Sequence, residues 1–345
     1  MELICSIGPN IRDIEDIKKF VQAGMTIPRF NFSHIDYEKF QILINEIHIK
    51  FPNMKILQDL QGNKLRISKL FIGEYKVNIK EQVIFCLEKD FKYVYERNRY
   101  RNVRIIPVMY YGSLDDFKNV KELFMKDATM NFKILEKTSI YIKAITIKGG
   151  ILRAEKGINA PGIIRDNLIL SNKDKYDIEI GIKNNVDFIC LSYVTKANDI
   201  IELKKYVKNL VKLYKSKTPK IWAKIECKEG ISNFDEILKV SDGIMLGRGD
   251  LKAEIPIEDI PYEEEKIITR MKKSKKKLIV ATYILESMRR YDVPTISEVN
   301  DIYKYIKNSV DGLMLSTEVA VARDPIKVIK CLNNFYNKYC NKDIN

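Results

Sequence analysis

The chain has 345 residues, 46% of them hydrophobic, and its 60 Lys and Arg against 46 Asp and Glu give a formal charge of +14. That length exceeds one ordinary compact domain and fits a barrel with an insertion, with ample apolar material for a large core. No stretch approaches the roughly 20 apolar residues of a membrane span, and Met1-Glu2-Leu3-Ile4-Cys5 runs straight into a strand-like segment, which argues against a signal peptide. The positive charge has two readings. It could be a field for anionic partners or compositional drift in an Ile- and Asn-rich chain, and the even spread of lysines favours drift. The densest run, Lys272-Lys273-Ser274-Lys275-Lys276-Lys277, has no interleaved aromatics and reads as a solvated loop, so neither nucleic acid nor membrane is expected as a partner. Cys5, Cys86, Cys190, Cys227, Cys331 and Cys340 lack zinc-like spacing and read as free, reduced residues, which suits a cytoplasmic location.

In chain order, apolar runs rich in Ile, Val and Leu fall at 2–7, 26–32, 55–59, 187–193, 220–226, 242–247, 277–282 and 310–316. Segments of helical period follow near 12–23, 36–50, 172–184, 196–215, 231–239, 262–273, 297–307 and 325–340. Strands apolar throughout, alternating with helices, indicate a parallel sheet covered by helices. Eight such units predict an α/β fold, a closed (β/α)8 TIM barrel. The rhythm breaks between the third run and its helix. Residues 67–156 are richer in β-branched and aromatic residues, with alternating pieces such as Tyr75-Lys76-Val77-Asn78-Ile79. This stretch predicts an inserted, mainly β lid domain that divides the barrel domain into 1–66 and 157–345. Tyr93 to Arg104 has no clear period and is assigned no structure.

Active sites of such barrels lie at the C-terminal ends of the strands. Those ends carry Arg29, Asn31 and Ser33, then Asp59, Ser192, Lys224 and Glu226, Asp250, Thr282, and finally Ser316 and Glu318. Lys224 and Glu226 stand two apart on one strand and so share a face. Two carboxylates from neighbouring strands, Glu226 and Asp250, with positions left for water and phosphate oxygens, suit Mg²⁺. Lys224 and Arg29 add positive charge around one small anion, as phosphoryl transfer requires. Lys224 with Glu226 alone reads equally well as a barrel-interior salt bridge; Arg29 and Asp250 turn the balance toward catalysis.

Arg29-Phe30-Asn31-Phe32-Ser33-His34, Ala223-Lys224-Ile225-Glu226, Arg248-Gly249-Asp250-Leu251, and Ala281-Thr282 through Leu285-Glu286-Ser287-Met288 resemble, in order and spacing, the signatures of pyruvate kinases. So do Lys156-Gly157-Ile158-Asn159 and the start from Ile4 to Pro9. The resemblance implies phosphoryl transfer from phosphoenolpyruvate to ADP, giving pyruvate and ATP. It assigns Glu226 and Asp250 to Mg²⁺ (Mn²⁺ as an alternative), Lys224 to the transferring group and Arg29 to the substrate phosphate. Gly249, Asp250 and Thr282 would hold the substrate carboxylate, with Thr282 also on the route of a proton to the enolate. His34, Arg66 and Lys156 match positions on the nucleotide side.

Asp59-Leu60-Gln61-Gly62-Asn63-Lys64-Leu65-Arg66-Ile67 resembles the subgroup that works without K⁺, since a lysine ammonium can supply a fixed charge in place of a monovalent ion. Asn31, Ser33 and Asp59, however, keep the side chains that ligate K⁺ elsewhere in the family. Asn63, Tyr283, Thr317, Val319, Lys252 and the run Lys126-Asp127-Ala128 depart from the family pattern and leave room for another acceptor. A paralogous barrel phosphotransferase and a non-catalytic binding protein are the rival readings. The six residues from Cys340 to Asn345 are too few and too polar to form a regulatory domain, so hyperbolic saturation is expected, and any oligomer is expected to be a homodimer through barrel surfaces.

Overall fold

The computed structural model describes residues 1–98, 103–165 and 170–342, with the side chains of 341 and 342 left aside. Part of the stretch from Tyr93 to Arg104 and the last three residues of the tail therefore lie outside the described residues. The chain divides into two compact units, one of residues 1–62, 172–249 and 261–345, the other of 63–171 and 250–260. The segment 67–156 falls inside the second.

The first unit is a closed barrel of eight parallel strands: Glu2–Ser6, Ile27–Asn31, Leu57–Leu60, Phe188–Leu191, Lys220–Ile225, Gly243–Gly247, Lys277–Ala281 and Gly312–Leu315. Each lies within or at the edge of a predicted apolar run. The ring closes where the first strand pairs with the eighth, Glu2 opposite Gly312 through Cys5 opposite Leu315. Helices follow the strands at Ile14–Ala23, Tyr37–Lys50, Asn172–Lys183, Ala197–Tyr214, Phe234–Val240, Ile260–Lys272, Ile296–Lys307 and Pro325–Lys342. Their ends are specified locally. Asp13 accepts the backbone N–H groups of Glu15 and Asp16 at the start of the first helix, and Gly24, at φ 121°, ends it in a conformation that costs a side chain dearly. Thr295 and Glu298 form a reciprocal capping box on Ile296–Lys307.

Side chains from all eight strands fill the barrel interior: Ile4, Ile27, Leu57, Phe188 and Cys190, Trp222, Met245, Ile279 and Ala281, and Met314. Successive strand residues face opposite ways. Two residues beyond this apolar layer, the same inward faces present Ser6, Arg29, Asp59, Ser192 and Lys224, so a greasy floor carries a polar storey at the C-terminal ends of the strands. The period of two places both. Gly247, two beyond Met245, adds no side chain, and a Cβ there would lie 2.7 Å from Cγ of Glu226.

The second unit is a smaller closed β-barrel. Its strands run in the order Ile142–Lys148, Gln82–Leu87, Arg104–Met109, Leu65–Ile67, Gly157–Asn159, Glu122–Met125 and Met130–Lys137, the last returning to the first. All neighbours are antiparallel except Gln82–Leu87 with Arg104–Met109. A parallel pair needs a crossover rather than a tight turn, and the helix Phe91–Asn98 lies in it. This helix occupies part of the stretch that shows no clear sequence period. The core packs Phe85 against Phe132, ring centroids 5.4 Å apart, with Val83, Ile106, Leu123 and Ile158 around them. No helix among the described residues is long and apolar enough to cross a membrane.

Candidate active site

The polar storey of the first barrel is one connected charge cluster. Arg29, 8% exposed, donates from Nε and Nη2 to Oδ2 of Asp59 at 2.8 and 2.6 Å, and from Nη1 to the Ser6 hydroxyl at 2.6 Å. Lys224, 7% exposed, reaches both Asp59 oxygens, at 2.8 and 3.0 Å, and donates to the Ser192 hydroxyl at 2.8 Å. The Ser192 hydroxyl in turn donates to the Leu60 carbonyl at 2.7 Å. Glu226 stands 3.7 Å from the Lys224 ammonium and accepts the Tyr193 N–H at 3.1 Å.

Two buried cations thus converge on one buried carboxylate. Burial alone would raise the Asp59 carboxyl, but the Lys224 and Arg29 charges overcome it and hold the group below its ordinary value. Burial likewise works against the Lys224 ammonium, and the Asp59 and Glu226 carboxylates outweigh it, so its pKa is raised and the charge is fixed. Such a cluster can hold and stabilise an anion.

Thr282 follows the seventh strand in an unusual backbone. It and Tyr283 lie at φ 68° and 56°, a left-handed pair without glycine, each costing roughly 1–3 kcal/mol that the surroundings must repay. The Thr282 hydroxyl accepts the Gly249 N–H at 2.8 Å and donates to the Ala281 carbonyl at 2.6 Å. A Cβ on Gly249 would press on that hydroxyl at 3.3 Å. Beyond the second strand, Asn31 accepts the Ser33 N–H at 3.1 Å and opens the short turn Phe32–His34. Arg29, Asn31, His34, Lys39 and Thr317 line a cleft of about 520 Å³ in the same unit.

Four predicted residues belong to the second unit. Lys64 lies 2.6 and 2.8 Å from the two oxygens of Asp250. Arg66 donates to the Glu155 carbonyl at 2.8 Å. Burial, followed by the Arg153 and Lys126 charges, lowers the Lys156 ammonium. The adjacent run Lys126, Asp127 and Ala128 takes φ of 51°, 52° and 61°, three left-handed residues in succession.

Glu226 in the first unit and Asp250 in the second each offer carboxylate oxygens, the ligand type of a hard divalent cation, and among the described residues no group of three or more His, Cys, Asp or Glu forms a metal cage. An ion with one or two protein carboxylates and several exchangeable oxygens matches Mg²⁺ far better than a thiolate- or imidazole-seeking metal.

Sequence reasoning passed over Ser6 and named Ser192 only as one of the polar strand ends. Both serines carry the signal of the strand period, lying two beyond Ile4 and Cys190.

Residues 1–329 match the family model described as the barrel domain of pyruvate kinase. The chain is 32% identical over 336 residues to a pyruvate kinase of Thermotoga maritima, covering 96% of this chain and 69% of that one. It is 33% identical over 342 residues to plastidial pyruvate kinase 3 of Arabidopsis thaliana, covering 96% and 56%. Against a pyruvate kinase of Geobacillus stearothermophilus it is 29% identical over 338 residues, covering 96% and 55%. The chain spans little more than half the length of two of these three relatives. With the eight-stranded barrel and its buried cluster of Arg29, Asp59, Lys224 and Glu226 in place, the family match over residues 1–329 and the identity of about a third over nearly the whole chain show that this chain belongs to the pyruvate kinase family.

Proposed function

We propose that this chain transfers the phosphoryl group of phosphoenolpyruvate to ADP, forming pyruvate and ATP. One observation carries the reading: Lys224 and Arg29 are both buried, both paired with Asp59 and both on the inward face of the barrel, with Glu226 beside Lys224. Catalysis of phosphoryl transfer is chiefly positioning and electrostatic stabilisation. Here Arg29 binds the substrate phosphate, and Lys224 steadies the charge that spreads over the transferring oxygens. Asp59 keeps both cations in place, and Ser6 and Ser192 fix their direction. The Thr282 hydroxyl and the Gly249 and Asp250 backbone receive the substrate carboxylate. Loss of the phosphoryl group unmasks an enolate, and Thr282 orients the water that returns a proton to its carbon. Glu226 and Asp250 would hold Mg²⁺, which supplies Lewis-acid neutralisation of the phosphate oxygens. The cleft beside Arg29 and His34 is assigned to the nucleotide, as are Arg66 and Lys156 on the second unit, and residues 67–156 to the lid.

The same reading includes turnover without K⁺. It is supported by the two fixed cations already engaged on Asp59 and by a lysine at position 64. A lactate-dehydrogenase-coupled assay with phosphoenolpyruvate, ADP and Mg²⁺, run with and without K⁺, tests both halves. Turnover independent of K⁺ is expected, with Lys224→Met losing at least about 10³-fold in kcat while staying folded. Near-normal turnover in that variant would sink the assignment of Lys224, and strong K⁺ stimulation would remove the fixed-charge role of Lys64. A phosphotransferase with another acceptor would show as turnover without competition by ADP.

A further inference from the structure

Thr282 is a β-branched residue held at positive φ next to a second residue held the same way, and a backbone of this kind persists only where its neighbours over-determine it. The neighbour here is Arg248, immediately after the sixth strand. Its Nε donates to the Thr282 carbonyl at 3.1 Å, and its Nη2 to the carbonyls of Thr282 at 2.8 Å and Tyr283 at 2.6 Å. From the other side, the buried Glu318 carboxylate accepts the Ile284 N–H at 3.1 Å and the Ser316 N–H at 2.7 Å. Three successive residues are therefore tied by their backbones to two buried side chains.

The guanidinium is itself locked. Its Nη1 donates to Oδ2 of Asp301 at 2.7 Å and to the Tyr305 hydroxyl at 2.7 Å, and that hydroxyl donates onward to Glu264 at 2.9 Å. A guanidinium has five N–H donors in a rigid fork. These contacts number five, so none remains for a ligand. Arg248 is built to hold a shape rather than to bind a substrate.

We propose that Arg248, braced by Asp301, Tyr305 and Glu264, is the positioning residue for Thr282: it imposes the left-handed turn that brings the Thr282 hydroxyl to the Gly249 N–H and fixes its remaining lone pair. This rests on the reading of Thr282 as a group that meets substrate. A lysine at 248 keeps the charge but has a single nitrogen and cannot span two carbonyls, an aspartate and a phenol together.

The test is a double-mutant cycle on the full chain with Arg248→Lys and Thr282→Val, read as kcat and KM for phosphoenolpyruvate with ADP and Mg²⁺, beside a crystal structure of Arg248→Lys. Arg248→Lys is expected to lower kcat about 30-fold with KM changed less than about threefold, and the double variant to be no slower than Thr282→Val alone, because Arg248 acts only through Thr282. Losses that multiply, or an Arg248→Lys structure with Thr282 still left-handed, overturn the inference. Where Arg248→Lys fails to fold, Tyr305→Phe takes its place in the cycle, with about a threefold loss in kcat that disappears in the Thr282→Val background; a loss that persists there overturns the inference. A wild-type chain that does not turn over these substrates defeats the functional reading alone. The inference then stands or falls on the Thr282 turn in the structure of whichever of these variants folds: release of the turn supports it, and an unchanged turn overturns it.

Discussion

The Lys64 ammonium bridges both oxygens of the Asp250 carboxylate, at 2.6 and 2.8 Å, with the two side chains 19% and 14% exposed. The Asn159 amide adds a donor at 3.4 Å to Oδ1. A carboxylate in this state already has a cation. A divalent ion that takes Asp250 as a ligand must share it with an ammonium or displace it.

Lys64→Met is therefore expected to tighten Mn²⁺ binding to the substrate-free chain by about tenfold, or roughly 1.4 kcal/mol. Isothermal calorimetry or water-proton relaxation reads this without any turnover. Unchanged Mn²⁺ affinity would take Asp250 out of the metal site.

Asp59 governs acid stability. Its folded pKa lies below the unfolded value, so its contribution is fully present above the unfolded carboxylate range near pH 4 and is lost as pH falls through the lower folded value. Asp59→Asn removes that contribution and leaves Arg29 buried without its carboxylate, an expected loss of about 3–5 kcal/mol at pH 7. The variant should also show a flatter decline below about pH 4. Urea unfolding at pH 7 and pH 3 checks both, and an equal gap between the proteins at the two pH values would refute the assignment.

Ala128 is the last of three consecutive left-handed residues in the turn between Glu122–Met125 and Met130–Lys137. A side chain in that conformation costs roughly 1 kcal/mol; glycine, without a Cβ, escapes that cost and gives back part of the gain by losing more chain entropy on folding. Ala128→Gly should stabilise by about 0.5–1 kcal/mol, seen as a higher denaturant midpoint, with kcat unchanged. A destabilised variant would mean that the alanine methyl contributes packing that outweighs the strain.

The barrel was legible because its strands obey a period of two and its helices a period near four, and because the chain is punctuated at each change. Arg29, Asp59, Lys224 and Glu226 could be read for the same reason, since each sits two residues beyond an apolar core position or another member of the cluster. Ser6 and Ser192 follow the identical rule; Ser192 stood out as a polar strand end, and Ser6, small and near the start of the chain, did not. The second unit resisted reading. Strands as short as Leu65–Ile67 and Gly157–Asn159 hold too few residues to display a period. Its parallel pair depends on a crossover helix whose polar sequence gives little amphipathic signal. Arg248 is of another kind again. Its acceptors at Thr282, Tyr283, Asp301 and Tyr305 are distant in sequence, so its task exists only once the sixth and seventh β/α units are side by side.

The pairing of Glu2–Ser6 with Gly312–Leu315 joins opposite ends of the chain. Loop-closure entropy must be met in full before that last ladder gives anything back, so the folding rate is tied to contacts of the greatest sequence separation. During synthesis the first strand waits for nearly the whole polypeptide. Until Gly312 leaves the ribosome, Glu2–Ser6 and Lys277–Ala281 are open edges with unpaired N–H and C=O groups, ready templates for another chain. Crowded, stalled or prematurely terminated translation should therefore yield edge-to-edge aggregates of this protein, and a chaperone that shields these two segments would raise the yield of soluble chain.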